Sequence, residues 1–379
     1  MSCTSSEDAI RCRGMVDAHV NITFAPLSQS CVSTGGSEPE SITPAEFSRL
    51  TNQISEDAGY FWSNNYISNE TSYLHVLDEL ATLPLEGGAY IGVGPNQNFT
   101  YIAAIRPDLA FIVDIRRQNL LEHLLFKVLI QKSESREDYL SRLLGRPLGV
   151  RFSASTPLPE IVTAVEAAPP DKSYFLEQLS QVEVHLRGIP ELALTEPDFE
   201  EIRQIHGEFF RQGFEIKYDS WRSFFFPSLK EFLLETDLNS RHRNWLASVE
   251  DFEYVREMQR ANRIVPLVGD FAGEQALRRL GRVLASKGAT VSAFYLSNVE
   301  FYLFRQRKWP AFVDNVRELP TDERSVFIRA YANLHRPHPK MVDDHITVSL
   351  VQNIHEFLRN ASAGRYHSLW DVVTLEDDF

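Results

Sequence analysis

The chain has 379 residues, 43% of them hydrophobic, enough for one large core or two modest ones. Its formal net charge is -14 and no dense Lys/Arg cluster interrupts the acidity, which argues against a nucleic-acid partner. No apolar run approaches the roughly 20 residues of a membrane helix, so no membrane contact is expected.

Residues 1–40 are rich in Ser, Thr, Cys and Gly and weakly patterned, and read as a flexible N-terminal arm. The arm holds Cys3, Cys12 and Cys31, the only cysteines, so no disulfide framework is expected. It lacks a basic segment followed by an apolar one, which predicts no signal peptide and a cytoplasmic setting. Residues 41–132 read as N-terminal helices and the first half of a Rossmann-like domain. SITPAEFSRL (41–50) opens a helix: Thr43 caps, Pro44 suits the first turn and Glu46 follows three residues on. A second helix is predicted over 72–83, with Tyr73, Val76, Leu77 and Leu80 on one face. AYIGVG (89–94) is a short apolar strand ending in glycines, and NFTYIAAIRP (98–107) a helix stopped by Pro107. LAFIVDI (109–115) reads as a central parallel strand, and RQNLLEHLLFKVLIQK (117–132) as an amphipathic helix.

The alternation then breaks. Residues 133–261 read as a mainly helical insertion that caps the sheet. Strand and helix resume over 262–379 with NRIVPLVGDF, GEQALRRLGRVLASKG, ATVSAFYLSN, PAFVDNVREL and SVFIRAY, and a last helix is expected over 347–359. Near the end only YHSLWDVV (366–373) looks strand-like. The fold class is therefore α/β: a doubly wound, mostly parallel sheet with a large helical insertion.

In such sheets ligands bind beyond the carboxyl ends of the strands. The four predicted strand ends offer Gly92, Gly94, Asn96, Gln97 and Asn98; Asp114 and Arg116; Asp270 and Phe271; and Ser297, Asn298 and Glu300. Asp114 lies about 20 residues past the glycine turn, the spacing of a carboxylate that accepts from ribose hydroxyls; it is equally placed to cap the following helix. The dinucleotide fingerprint needs glycine where Gln97 stands, and Pro95 removes an N–H that a pyrophosphate cradle would use. An uncharged or zwitterionic ligand suits the turn better, and S-adenosylmethionine fits. Its ribose would lie on Asp114, its amino-acid end over 92–98 and its adenine near Asp270 and Phe271. Arg116 either holds a carboxylate or pairs with a nearby acid. SNETSY (68–73) is either a helix cap or a lid bringing Asn69, Glu70 and Thr71 to the ligand. Asn298, Glu300, Tyr295 and Tyr302 sit where an acceptor would lie, with Glu300 or Glu70 as candidate bases. No metal site is expected.

SNETSYLHVL, the run from Tyr90 to Asn119, VPLVGDFAG and FYLSNVEFYLF together resemble an uncharacterised, largely bacterial family with a methyltransferase-like Rossmann fold. The resemblance covers about residues 45–330 and implies a class I methyltransferase-type fold and a cofactor pocket. The sequence departs from ordinary methyltransferases at Tyr90 and Asn96, where an acid and a third glycine are usual. The expected function is an S-adenosylmethionine-dependent enzyme, most simply a methyltransferase on a small molecule. Aminocarboxypropyl transfer, cyclisation and non-catalytic nucleoside or partner binding are the alternatives.

Overall fold

The computed structural model describes residues 41–220, 225–333 and 336–375. The expected arm at 1–40, with its cysteines, lies outside the described residues.

Six strands form one sheet: β1 (Ala89–Gly92), β2 (Leu109–Asp114), β3 (Ile264–Val268), β4 (Val291–Ser297), β5 (Thr321–Ala332) and β6 (Thr347–Asn353). Their order is β3-β2-β1-β4-β5-β6. The first five run parallel; β6 runs antiparallel to β5, with Val326 opposite Asn353 and Ala332 opposite Thr347. This is the Rossmann strand order with an inverted edge strand. β1, β2 and β3 are short apolar runs buried almost throughout. Truncating such a residue, Phe111→Ala for instance, costs about 3–5 kcal/mol.

Helices fill both faces. α1 (Pro44–Ile54) starts as its sequence predicts, Thr43 Oγ1 accepting from the Glu46 N–H at 3.2 Å. The Glu46 carboxylate, however, turns away to Arg49. α2 (Leu77–Ala81) is shorter than predicted, because 73–76 form an irregular turn that still buries Tyr73 and Val76. α3 (Asn98–Ile105) follows β1, and Arg106 in a left-handed conformation ends it just before Pro107. α4 (Arg117–Lys132) follows β2. It is not the half-exposed helix its periodicity suggests: every residue from Asn119 to Ile130 is buried.

The insertion explains that burial. Its helices are α5 (Arg136–Leu144), α6 (Leu158–Ala167), α7 (Lys172–Arg187), α8 (Glu196–Gln212), α9 (Leu229–Leu233) and α10 (Val249–Arg260). α5, α7, α8 and α10 pack on α4, and α10 also packs on α3. The insertion thus forms a third layer outside the helices, and its residues Tyr218 and Asp219 also reach the strand ends, where Ser63 Oγ donates to Asp219 O and Tyr218 meets Trp62 edge-on at 6.1 Å. Trp245 seals the seam against Phe99, Tyr139 and Phe252 at ring distances of 5.2, 5.3 and 5.8 Å.

On the other half, α11 (Ala276–Lys287) links β3 to β4, and α12 (Val299–Arg305) and α13 (Trp309–Arg317) link β4 to β5. The helix expected over 347–359 is corrected: it is β6 followed directly by α14 (Ile354–Ser362). The alternating TVSLVQN run pairs along β5, and Asn353 then caps by accepting from Glu356 N at 3.1 Å. YHSLWDVV contributes no strand; Ser368 and Asp371 form a capping box that starts α15 (Leu369–Thr374). No helix among the described residues is long and apolar enough to cross a membrane.

Candidate functional site

Four strands end around one cleft of about 120 Å³. Its polar floor is Gly94, Asp114, Gly269, Asp270, Ser297 and Asn298, and Phe61, Phe271, Tyr295 and Tyr302 are among its apolar walls. Small-molecule sites usually enclose about 300–1,000 Å³. Tyr60, Phe61, Asn65, Ser68 and Asn69 form one side of this cleft, and Phe61 meets Tyr302 edge-on at 5.4 Å. A larger hollow of about 420 Å³ lies between α1, α4 and α11, lined by Glu56, Arg117 and Gln275. Its Glu56 carboxylate is already committed to the N–H groups of Asp270, Gln275 and Ala276.

The β1 turn is held from inside. Asn98 Nδ2 donates to the carbonyls of Val93, Gly94 and Pro95 at 3.0, 3.1 and 2.7 Å, while its Oδ1 accepts from Tyr90 at 2.9 Å. A Cβ on Gly92 would stand 1.9 Å from Asn98 Oδ1, and Gly94 has φ of 78°. Both positions therefore require glycine. Of the turn residues proposed to touch a cofactor, Gly94 lines the cleft. Gly92, Asn96, Gln97 and Asn98 lie beneath or beside it, buried.

Asp114 lines the cleft and is engaged. Its Oδ1 accepts from the N–H and Nε of Arg116 at 2.9 and 3.0 Å, and its Oδ2 from Nη2 at 2.8 Å. The acid lines the ligand space with Arg116 as its present partner, and it does not cap α4, whose first turn receives no side-chain cap hydrogen bond. Asp270 is similarly paired, with Lys308 Nζ at 2.7 Å. Ser297, at the β4 exit, is a non-glycine residue with φ of 51°. Strain of this kind costs roughly 1–3 kcal/mol and gathers at functional sites.

Glu70 is 1% exposed and sits behind the cleft wall. Tyr295 Oη donates to its Oε1 at 2.7 Å, Ser297 Oγ donates to the same oxygen, and Gln97 Nε2 donates to Oε2 at 2.9 Å. Burial pushes the Glu70 carboxyl above its ordinary range, and the three donors pull it back. Tyr295 and Ser297 line the cleft, so Glu70 meets it through their hydroxyls. Asn69 also lines the cleft, but Thr71 does not: its N–H donates to Thr347 Oγ1 at 3.1 Å and its hydroxyl accepts from Ile346 N.

Glu300, expected beside an acceptor, is instead buried away from the cleft. Its Oε2 lies 3.0 Å from Arg329 Nε, and both side chains are nearly inaccessible. The first turn of α12 points it back toward β5, an orientation that the strand-exit reading of this segment did not anticipate. His338 uses both ring nitrogens, toward Val373 O and Lys340 N, and His335 lies outside the described residues. Sequence reasoning missed Phe61 and Asn65 at the mouth, and Asn119, Glu122 and His123 on α4. The last three have i, i+3, i+4 spacing, which marks one helix face but not what covers it.

No curated protein matches this sequence. Residues 66–146 and 191–376, on both sides of a gap within the insertion, match the family described as a domain of unknown function (DUF7790), and the chain belongs to that family.

Proposed function

We propose that the cleft binds S-adenosylmethionine and that the protein is a transferase of the class I methyltransferase type acting on a small molecule. One observation carries the reading: the glycine turn of β1, Asp114 of β2, Asp270–Phe271 after β3 and Ser297–Asn298 after β4 all border a single cleft at the carboxyl edge of the sheet. Pro95 and the inward-tied Asn98 make the turn a poor diphosphate cradle, which disfavours a dinucleotide. In this reading Asp114 would hold the ribose and Phe271 would pack against the adenine.

The chemistry is an in-line displacement. S-adenosylmethionine, when bound, would supply an electrophilic methyl carbon, which an acceptor lone pair would take as the methyl–sulfur bond breaks and its electron pair stays on sulfur in S-adenosylhomocysteine. The proton released by a hydroxyl or amine acceptor passes to Ser297 Oγ as the serine's own proton passes to Glu70. The protein's contribution is alignment of donor and acceptor.

Both S-adenosylmethionine and S-adenosylhomocysteine are expected to raise the melting temperature, and NAD to leave it unchanged. Binding to the native state stabilises by about 2.7 kcal/mol at 100 times the dissociation constant. A shift with NAD and none with either sulfur nucleoside sinks the reading. If S-adenosylmethionine binds but yields 5′-methylthioadenosine on turnover, the transferred group is not the methyl.

A further inference from the structure

The cleft carries two side-chain amides that the fold does not use. Asn69 and Asn298 both line it, and both are half-buried. Asn298 is the N-cap residue of α12, where an asparagine ordinarily accepts from an N–H two or three residues on. Its side chain makes no such bond here. Asn69 follows Ser68, whose hydroxyl accepts from Glu70 N at 3.2 Å and closes the local turn. The Asn69 side chain makes no hydrogen bond to another described residue. The two amides come from distant parts of the chain but share a neighbour. Ser297 Oγ donates to Glu70 Oε1, so each asparagine stands one residue from that contact.

The rest of the lining limits what these amides could read. The charged side chains on the cleft are Asp114, Arg116 and Asp270. Asp114 and Arg116 pair with each other, and Asp270 pairs with Lys308 at 2.7 Å. An anionic or cationic acceptor would therefore find its counter-charge already engaged. A carboxamide offers two N–H donors and an oxygen acceptor with no charge. Its natural complement is an edge that sets an N–H beside an acceptor, the pattern by which asparagine reads a nucleobase. The walls favour a flat partner. Phe61, Tyr295 and Tyr302 line the cleft, and aromatic rings pack well on the face or edge of another ring.

We propose that the acceptor is an uncharged nitrogen heterocycle of the lactam type, a flat ring with an N–H beside a carbonyl, whose edge is read by Asn69 and Asn298 and whose ring packs against Phe61 and Tyr302. The assignment rests on the transferase reading and adds the class of molecule to it. A ring held by these amides presents its edge beside Ser297, the group that takes the acceptor's proton in that reading. Asn69 and Asn298 are then binding residues, with no part in proton transfer.

The test is NMR titration of the full chain, with and without S-adenosylhomocysteine, against three bicyclic probes of similar size. They are 2-quinolone, N-methyl-2-quinolone, which lacks the N–H, and 2-naphthoate, an anion. The wild type is expected to bind 2-quinolone at least about tenfold more tightly than either of the others, because a site built to hydrogen-bond an N–H is left unpaired without it. Asn69→Leu and Asn298→Leu remove the amide at nearly constant size. Each should bring the ratio of 2-quinolone to its N-methyl derivative down to about threefold or less, and each should leave S-adenosylhomocysteine affinity within about threefold. Neither amide supports the fold through a side-chain hydrogen bond, so both variants are expected to fold; if one does not, the other decides. A ratio near one in the wild type, a ratio that survives in either variant, tightest binding of 2-naphthoate, or binding of none of the three overturns the assignment. Loss of S-adenosylhomocysteine binding in both folded variants gives the amides to the nucleoside and overturns it as well. If 2-quinolone binds with the expected dependence on both amides while S-adenosylhomocysteine does not bind at all, the heterocycle site stands and the cofactor reading is what fails.

Discussion

Two buried carboxyl groups flank the β1 turn, and they are treated in opposite ways. Glu70, on the β4 side, receives hydrogen bonds from Gln97, Tyr295 and Ser297. Glu122, on the α4 side, receives none from the described residues. Each is 1% exposed, and burial pushes each above the ordinary carboxylate range. The difference separates a carboxyl held in a hydrogen-bond network from one that meets only the attraction of Arg116. A satisfied buried network specifies a single arrangement, whereas an unsatisfied one weakens the fold it sits in.

Substitution by leucine should split the pair most widely. Glu70→Leu strands two buried donors, Gln97 and Tyr295, at about 1–3 kcal/mol each and unpairs the half-buried Ser297, so a loss of at least about 2 kcal/mol is expected in urea unfolding. Glu122→Leu removes a buried group with no hydrogen bond among the described residues and should leave stability unchanged or raised. Equal losses from both variants would erase the distinction.

Titration separates the α4 side further. Burial holds His123 down at about 4, against 6.5 for an exposed histidine. Its folded pKa is depressed, so the native state binds fewer protons, and stability is lost as pH falls through the window from 6.5 to 4. Between pH 7 and pH 5 that amounts to about 2 kcal/mol. Glu122 works with the opposite sign. Its folded pKa is raised, so its contribution is full below the unfolded value and declines as pH rises above it. The quantity to measure is therefore the change in stability from pH 7 to pH 5 in the wild type minus that in His123→Gln. A difference near zero would mean that His123 is not held neutral.

The smallest effect is at the link between Glu70 and the cleft. Ser297→Ala removes one donor, at about 0.5–1.5 kcal/mol, and should leave S-adenosylhomocysteine affinity within about threefold. Once an acceptor is known, turnover should fall while cofactor affinity holds. A collapse of cofactor binding would place Ser297 in the nucleoside pocket instead.

The parallel strands and their polar exits were legible because local signals suffice: short apolar runs, a glycine turn, an acid at the end of LAFIVD. Other features depend on chain far away. The polar face of α4 looked solvent-exposed because Asn119, Glu122, His123 and Lys127 recur at helical spacing, yet insertion helices cover α4 together with the β1 turn, which His123 meets, and Phe47 of α1, which Lys127 lies over. Glu300 looked available because a strand exit puts its side chains outward, whereas α12 turns it into an ion pair with Arg329. β6 read as the start of a helix because Leu350, Ile354, Phe357 and Leu358 also suit a helical stripe. Its partner on β5 decided otherwise.

The covering of α4 also bears on how the chain reaches its native state. β2 and β3 pair directly, Ala110 with Ile264 and Asp114 with Val268, although the whole insertion lies between them in sequence. That contact closes a very long loop, and loop closure is slow before nearby contacts reward it. The insertion helices that pack on α4 are those that shorten this gap, because they fold the intervening chain back beside β2. Sheet and insertion therefore form one cooperative unit, in which excising the insertion removes the scaffold on which β3 finds its neighbour.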